Sequence, residues 1–471
     1  MKSQADIGIV GLGAMGENLA LNLKDHQWRT ALYNRHGEKV TEFMKEHRDD
    51  SMFIPCMTPE ELCKSLKTPR KILLTVKSGA AVDEMLHTFI PLLDKGDIII
   101  DGGNSDYRNT IRRAHALEEH GIHFIGLGIS GGTDGARYGA SLMAGCTKES
   151  LEPVKDILIS IAAVTAEGEV CCLRAGTDGA GHFLKMVHNG IEYAEMQLIA
   201  ETYALLKHLL HWTPEHFHRL YNQWNDSGLH SYLMEITADI FRAKDVDGSP
   251  LIDHILDAAK QKGTGQWSVQ SALEIGVPVP CLAQAVFARH LSSMKEERQQ
   301  ASEILDEVKV SAGNNFNDSF AESVRAAYHA SRICIYAQGF QMLKMGAEYY
   351  HWEGMKLDEI ATVWQAGCII RSDLLKEIRK AYESDPSLQN LLLAPDFHHA
   401  ATNDLRDWRI TAATGISQGI PLPCITAALN YYDTLICTDL PANLIQAQRD
   451  YFGHHGFERN DRPRGEVFHL R

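Results

Sequence analysis

Apolar positions change rhythm once along the chain. Up to about residue 176, short apolar runs alternate with longer amphipathic stretches. The runs are Asp6–Val10, Thr30–Tyr33, KILLTV from Lys71, DIIID from Asp97, HFIGLGIS from His123 and SLMAG from Ser141. Runs of this length, bounded by glycine and polar residues, predict buried strands, and the stretches between them predict helices. Beyond Gly176 the apolar residues fall at helical spacing over long segments with few strand signals. The pattern therefore predicts an α/β domain over residues 1–176 and a large all-helical domain over 177–435. A tail of different character follows over 436–471.

The helical region repeats itself. His211-Trp212 followed by Trp224 recurs as His351-Trp352 followed by Trp364, and GVPVPC from Gly276 recurs as GIPLPC from Gly419. The segment with Tyr193, Gln197 and Leu198 has a counterpart with Tyr336, Gln341 and Met342. Three pairs in one order predict an internal duplication, with halves of about 177–315 and 316–435.

The first strand leads into Gly11-Leu12-Gly13-Ala14-Met15-Gly16 and then a helical pattern. Strand, GxGxxG and helix in that order form the dinucleotide fingerprint of a Rossmann-type domain. Its glycines permit a tight turn and close approach of backbone to a pyrophosphate at the helix N-terminus. After the second strand come Asn34, Arg35 and His36, with Lys39 shortly beyond. A carboxylate for the ribose 2′-hydroxyl is missing there and a guanidinium is added, which suits a 2′-phosphate and favours NADP over NAD. Further strand ends carry Val76-Lys77-Ser78, Asn104 and Ser130-Gly131-Gly132, the last able to offer a hydroxyl and unshielded N–H groups to a carboxylate.

One helical window concentrates chemistry. GHFLKMVHNGIEY, starting at Gly181, sets Lys185, His188, Asn189 and Glu192 on one helical face, with Tyr193 one place further. Thr177 or Asp178 is the expected cap of this helix. The face is either a solvated stripe or a general base and acid about two turns apart. The second copy has no substitute for Lys185, Asn189 or Glu192, which favours the functional reading and makes that copy scaffold. Lys262, in QKGTGQW, and Arg289 are candidate anion contacts in the first copy. The tail, rich in Arg, His and Gly, should fray unless docked. A neighbouring subunit would dock it, bringing Arg449 and His454 or His455 to an anionic site.

Bulk properties narrow the class. The chain has 46 Lys and Arg against 61 Asp and Glu, a net charge of −15, so nothing broad attracts nucleic acid or anionic membrane. Ten cysteines lie without CxxC spacing and the N-terminus runs directly into a strand, which predicts a cytoplasmic protein with reduced thiols. No apolar run reaches the roughly 20 residues of a membrane span. His211, His216 and His218 lack partner cysteines or an HExxH pattern, so no metal site is expected.

Together, GLGAMG, YNR, DGGNS, the SGG and GARYG block, HFLKMVHNGIEY, QKGTGQW and QAQRDYFGHH resemble the 6-phosphogluconate dehydrogenase family, within the β-hydroxyacid dehydrogenases. The resemblance spans nearly the whole chain. It implies NADP-dependent oxidative decarboxylation of 6-phosphogluconate to ribulose 5-phosphate in the pentose phosphate pathway, without a metal, by a homodimer. Carried over by motif, cofactor contacts would be Gly11 to Gly16, Asn34, Arg35, His36, Val76, Lys77, Ser78 and Asn104. Substrate contacts would be Asn104, Ser130, Gly131, Gly132, His188, Asn189, Tyr193, Lys262 and Arg289, with Arg449 and His455 from the other subunit. Lys185 would be the base and Glu192 the proton donor. An oxidation without decarboxylation, or a nucleotide sensor with a spent site, are the alternatives. The second helical copy and the tail argue against the first, and the intact Lys185 and Glu192 against the second.

Overall fold

A computed structural model describes residues 4–47, 50–261, 263–305 and 316–470. Its N-terminal part is one sheet of eight strands in the order β3-β2-β1-β4-β5-β6-β7-β8. β1 (Ile7–Val10), β2 (Thr30–Tyr33), β3 (Phe53–Cys56), β4 (Lys71–Leu74), β5 (Ile98–Asp101) and β6 (His123–Ser130) run parallel. β7 (Ser141–Gly145) turns back antiparallel to β6, and β8 (Cys172–Gly176) follows β7. The link between β6 and β7 holds only the short helix Gly132–Tyr138, too little chain for a parallel crossover. β3 was not expected from the apolar pattern; it has four residues, one of them Pro55, and sits at the sheet edge, where a missing N–H is tolerated.

The helical part is built on two long helices, Ala180–Leu210 and Phe320–Tyr349. The first, here the central helix, starts against the sheet. A Cβ on Gly181 would fall 2.3 Å from the carbonyl oxygens of Gly126 and Met143, and one on Gly128 would fall 2.7 Å from Lys185 Cβ. Glycines on both sides thus let the helix backbone touch β6 and β7. The expected cap is absent: Gly179 is the N-cap and makes no side-chain cap bond. Asp178, at φ 47°, instead turns its carboxylate to within 3.9 Å of His115.

The duplication is visible in backbone detail. His211 and His351 both leave their helices at left-handed φ, 52° and 57°. Gly276 and Gly419 do the same at 75° and 68°, and Val279 and Leu422 precede the next helices with nearly equal dihedrals. The copies also cap each other. Gln338 of the second long helix accepts the Cys281 N–H at the start of helix Pro280–Ser293. Glu201 of the central helix accepts the N–H groups of Cys424 and Ile425 at the start of helix Pro423–Ile436.

The tail is more ordered than its composition suggests. It forms helix Ala442–Gly453 and then closes on itself through an antiparallel bridge between Phe457 and Phe468. The buried Asp450 carboxylate ties the two parts, accepting from the N–H groups of Gly456 and Leu470 and from His469.

Candidate active site

The C-terminal ends of the parallel strands gather the cofactor candidates on one sheet edge, where open α/β sheets bind ligands. Gly11 has φ 104°, and a Cβ there would meet the Thr75 backbone at 3.1 Å. A Cβ on Gly16 would sit 2.0 Å from Gly11 O, so that position must be glycine for helix Ala14–Asp25 to approach the turn. Gly13, the N-cap of that helix, has nothing within 4 Å of its missing Cβ, which leaves its amide end open to a phosphate. Thr75 Oγ1 braces the turn by donating to Gly11 O at 2.7 Å.

Asn34 is committed to the same turn. Its Oδ1 accepts the Leu12 N–H at 3.0 Å and its Nδ2 donates to His36 O. The side chain therefore shapes the adenosine end rather than standing free beside it. Arg35 is exposed, and its guanidinium, just past the end of β2, pairs with the Glu84 carboxylate at 3.0 Å. Lys77 and Asn104 are exposed at the ends of β4 and β5, and Val76 and Ser78 are half-buried beside them. Asp101 presents the loop holding Asn104, accepting from Ser105 Oγ at 2.7 Å and from the Gly103 N–H.

Across the sheet edge lies the polar face of the central helix. It is not a solvated stripe: Lys185 and Asn189 are 7% exposed and His188 is fully buried. Lys185 Nζ donates to Ser130 Oγ at 3.0 Å, and Ser130 Oγ lies 3.1 Å from His188 Nε2. His188 Nδ1 faces two acceptors, Asn189 Oδ1 at 3.2 Å and Glu192 Oε2 at 3.7 Å. The proton therefore belongs on Nδ1, and Nε2 accepts from Ser130. Asn189 Nδ2 then donates to Thr264 Oγ1 at 3.1 Å. Lysine, serine, histidine, asparagine and threonine form one directed chain of hydrogen bonds.

The environment sets the charges. Burial lowers the Lys185 pKa, against the pull of Glu192. Burial raises that of Glu192, against Lys185 and Arg289. Burial and then Lys185 hold His188 well below its usual value, so its 3.7 Å approach to Glu192 is that of a neutral ring and not an ion pair. The shifts move Lys185 towards the neutral amine and Glu192 towards the protonated carboxyl, on either side of a neutral imidazole.

Around this row, Gly131 at φ 108° packs so tightly that a Cβ would strike Gly367 O, while Gly132 is open to solvent. Tyr193 lies under Arg289, whose guanidinium carbon is 3.5 Å from the ring centroid. Gly265 makes room for that ring, since a Cβ there would come within 2.6 Å of it. Arg289 Nη1 donates to Lys260 O, which fixes the cation at the rim. Lys262 lies outside the described residues. Arg449 and His455 are exposed on the tail, where Arg449 donates to Gln446 one turn away.

Three contributors were not foreseen. Thr264 completes the hydrogen-bond chain, although its loop had been singled out. Trp364 meets the His188 ring edge-on at 5.5 Å, and Cys368 is close enough to Lys185 to affect its charge. Both come from the second helical copy, so its segment Trp364–Cys368 walls the first copy's site. The repeated tryptophan was the one available signal.

Comparison with known proteins follows the same division. Residues 6–176 match the NAD binding domain of 6-phosphogluconate dehydrogenase, and residues 181–471 match the 6-phosphogluconate dehydrogenase C-terminal domain. The chain belongs to the 6-phosphogluconate dehydrogenase family. It is 48% identical over 467 residues to the decarboxylating 6-phosphogluconate dehydrogenase of Mus musculus, covering 99% of this chain and 96% of that one. It is 47% identical over 468 residues to the NADP(+)-dependent, decarboxylating enzyme of Bacillus subtilis, covering 99% of both. Among solved structures, Plasmodium falciparum 6-phosphogluconate dehydrogenase superposes with a TM-score of 0.94 at 39% identity, covering 98% of this chain and 99% of that one. That protein has been solved in its apo form and in complex with NADP+ and with 6-phosphogluconate.

Proposed function

We propose that this protein oxidises 6-phosphogluconate at C3 with NADP and decarboxylates the product to ribulose 5-phosphate, with Lys185 and Glu192 as base and acid. The observation that carries the assignment of roles is the buried row Lys185, Ser130, His188, Asn189, where burial lowers the pKa of the amine and raises that of the Glu192 carboxyl beside it.

The open glycine turn at Gly11, Gly13 and Gly16, with Arg35 at the end of β2, fits NADP, which when bound accepts a hydride from C3. Neutral Lys185 takes the proton of the C3 hydroxyl as that carbon becomes a ketone. Ser130 holds Lys185 in place and is itself held by His188. The resulting ammonium then polarises the C3 carbonyl and returns its proton to that oxygen as the enediol forms. The C1–C2 bond breaks as CO2 departs, and its electron pair moves into the enediol now joining C2 and C3. This is the ordinary fate of a β-keto acid and requires no further electrophile. Glu192, whose pKa burial raises, delivers its proton to the former C2, which becomes C1 of ribulose 5-phosphate, while Lys185 takes back the hydroxyl proton as the ketone re-forms. Gly131 and Gly132 offer N–H groups to the substrate carboxylate. Arg289, steadied on Tyr193, and Lys262 take the phosphate.

The substrate phosphate is a dianion, and a homodimer would supply further cations through Arg449 and His455 of a neighbouring tail. This reading is supported by the tail helix, which leaves Leu444, Ile445, Tyr451 and Phe452 more than half exposed. Among the described residues no helix is long and apolar enough to cross a membrane. The test is absorbance at 340 nm with 6-phosphogluconate, run with NADP and NAD in parallel. NADP reduction with release of CO2 is expected; NADPH formation without CO2 would leave an oxidation alone, and no reduction with any sugar acid would leave a nucleotide sensor. Removing the chain from Arg449 onward should weaken substrate binding and spare NADP affinity. Equal substrate affinity by calorimetry would remove the tail from the site.

A further inference from the structure

A buried guanidinium joins the two loops that carry cofactor candidates, and the chemistry above gives it no role. Helix Tyr107–Glu118 follows directly on the Asn104 loop and turns Thr110 and Arg113, one turn apart, into the protein. Arg113 is 1% exposed. Its Nε and Nη2 donate to the two oxygens of Asp83 at 2.9 and 3.0 Å, and Nη2 also donates to Gly79 O at 2.9 Å. Gly79 is the N-cap of helix Ala80–Phe89 and stands directly after Val76-Lys77-Ser78. The remaining nitrogen, Nη1, has no hydrogen bond among the described residues and lies 3.5 Å from Asp101 Oδ2. Asp101 in turn holds the Asn104 loop through Ser105 and the Gly103 N–H.

Stability alone is a poor reason for this arrangement. An apolar side chain of similar volume could hold helix Tyr107–Glu118 to the sheet without desolvating a charge. What it could not do is fix the direction of two loops at once. The planar fork meets Asp83 and Gly79 with one edge and faces Asp101 with its third nitrogen. The bonds from Arg113 hold the Asp83 carboxyl down to about 2, so the pair stays charged. The loops it joins are in close contact, since a Cβ on Gly103 would fall 3.3 Å from Val76 O. Thr110 of the same helix lies 2.7 Å from Nδ1 of buried His182, three residues before Lys185 on the central helix.

We propose that Arg113 is a positioning residue for hydride transfer, setting the spacing between Val76-Lys77-Ser78 and Asn104 and so the seat of the cofactor. The inference rests on the cofactor contacts and the reaction proposed above. Arg113 is buried behind both loops, so its effect passes through them.

The experiment compares Arg113→Lys with the parent protein. Lysine keeps a charge beside Asp83 and Asp101 but has no fork to span them. NADP binding to the substrate-free protein, measured by calorimetry, should weaken about tenfold. The deuterium isotope effect on turnover of 6-phosphogluconate labelled at C3 should increase, because hydride transfer is the step that depends on the seat of the cofactor. The pH limbs of Lys185 and Glu192 should stay in place. Unchanged NADP affinity and isotope effect, with turnover lost only as Tm falls, would overturn the proposal. Asp101→Asn keeps an acceptor for the Gly103 N–H and removes the charge facing Nη1. It should also weaken NADP binding, and it decides by the same measurements if Arg113→Lys does not fold. The binding comparison needs no turnover. A parent protein that binds NADP but leaves 6-phosphogluconate unoxidised would fail the proposed function, while the affinities would still decide whether Arg113 sets the cofactor's seat.

Discussion

The two long helices descend from one pattern and have parted company in use. Aligned through Tyr193 and Tyr336, the positions of Lys185 and Asn189 are taken in the second copy by Tyr328 and Arg332, and that of Glu192 by Ile335. In the first copy the polar face lies along a sheet edge and its groups are left with unmet capacity. In the second it is turned inward on a single carboxylate. Tyr328 and Tyr336 donate to the two oxygens of Glu195, at 3.2 and 3.0 Å, and Arg332 Nε lies 2.8 Å from one of them. That arginine contact is close but out of line for a hydrogen bond, and Arg332 Nη2 has no partner among the described residues. On the proposed roles, one face does chemistry because its charges can be displaced. The other holds the copies together because its charges cannot.

Substitutions in the two faces should separate these roles. The largest effect belongs to Lys185→Met, which is expected to bind 6-phosphogluconate but to lose turnover by about a hundred- to ten-thousandfold. Near-normal rates at 340 nm would remove Lys185 as the base. Arg332→Met strands a buried carboxylate and should cost about 3–5 kcal/mol of stability, seen as a large fall in Tm, while folded enzyme keeps its turnover within a few-fold. Lost turnover at an unchanged Tm would erase the distinction between the copies.

Glu192→Gln should lower kcat by about a hundredfold and reshape the pH profile. The acid works protonated, so activity falls as pH rises through its raised pKa; the base works deprotonated, so activity falls as pH drops through its lowered one. The pair titrates together, and in Glu192→Gln the alkaline limb should vanish while the acid limb remains. A retained alkaline limb in kcat/KM would assign it to another group.

The smallest effect tests the bridge between copies. Burial pushes Glu201 up to about 7, against an ordinary 4.5, although the N–H groups of Ile425 and Cys424 pull the other way. Between those values the folded state keeps a proton that the unfolded chain releases, so stability falls as pH rises through that window, by up to about 3 kcal/mol. Glu201→Gln should flatten the dependence of Tm on pH between 5 and 8. An unchanged slope would show the carboxylate ionised throughout.

Much of this was legible beforehand because it is local. A strand followed by GxGxxG, or Lys185, His188, Asn189 and Glu192 at helical spacing, can be read without knowing what lies opposite. The contributions of Ser130, expected only as a substrate contact, and of Thr264, Trp364 and Cys368 could not be placed, because they depend on which elements meet across long stretches of chain. The reversal of β7 hid for the same reason: SLMAG has no direction in sequence. Residue type points to Thr177 or Asp178 as the cap of the central helix, but Gly179 is the N-cap and the left-handed backbone at Asp178 turns its side chain away. The tail's order was hidden because one buried aspartate supplies it, and not an apolar stripe.

The glycines under the central helix fix more than a contact. With Gly126, Gly128 and Gly145 on the strands and Gly181 on the helix, there is no layer of side chains in which the two could slide. Lys185 therefore belongs mechanically to the dinucleotide-binding sheet, although by sequence it lies in the helical domain. Whatever breathing separates the domains, Lys185 keeps its register with Ser130. The opposite wall is held differently, by side chains alone, with Arg289 on the Lys260 carbonyl and the Tyr193 ring and Asn189 on Thr264.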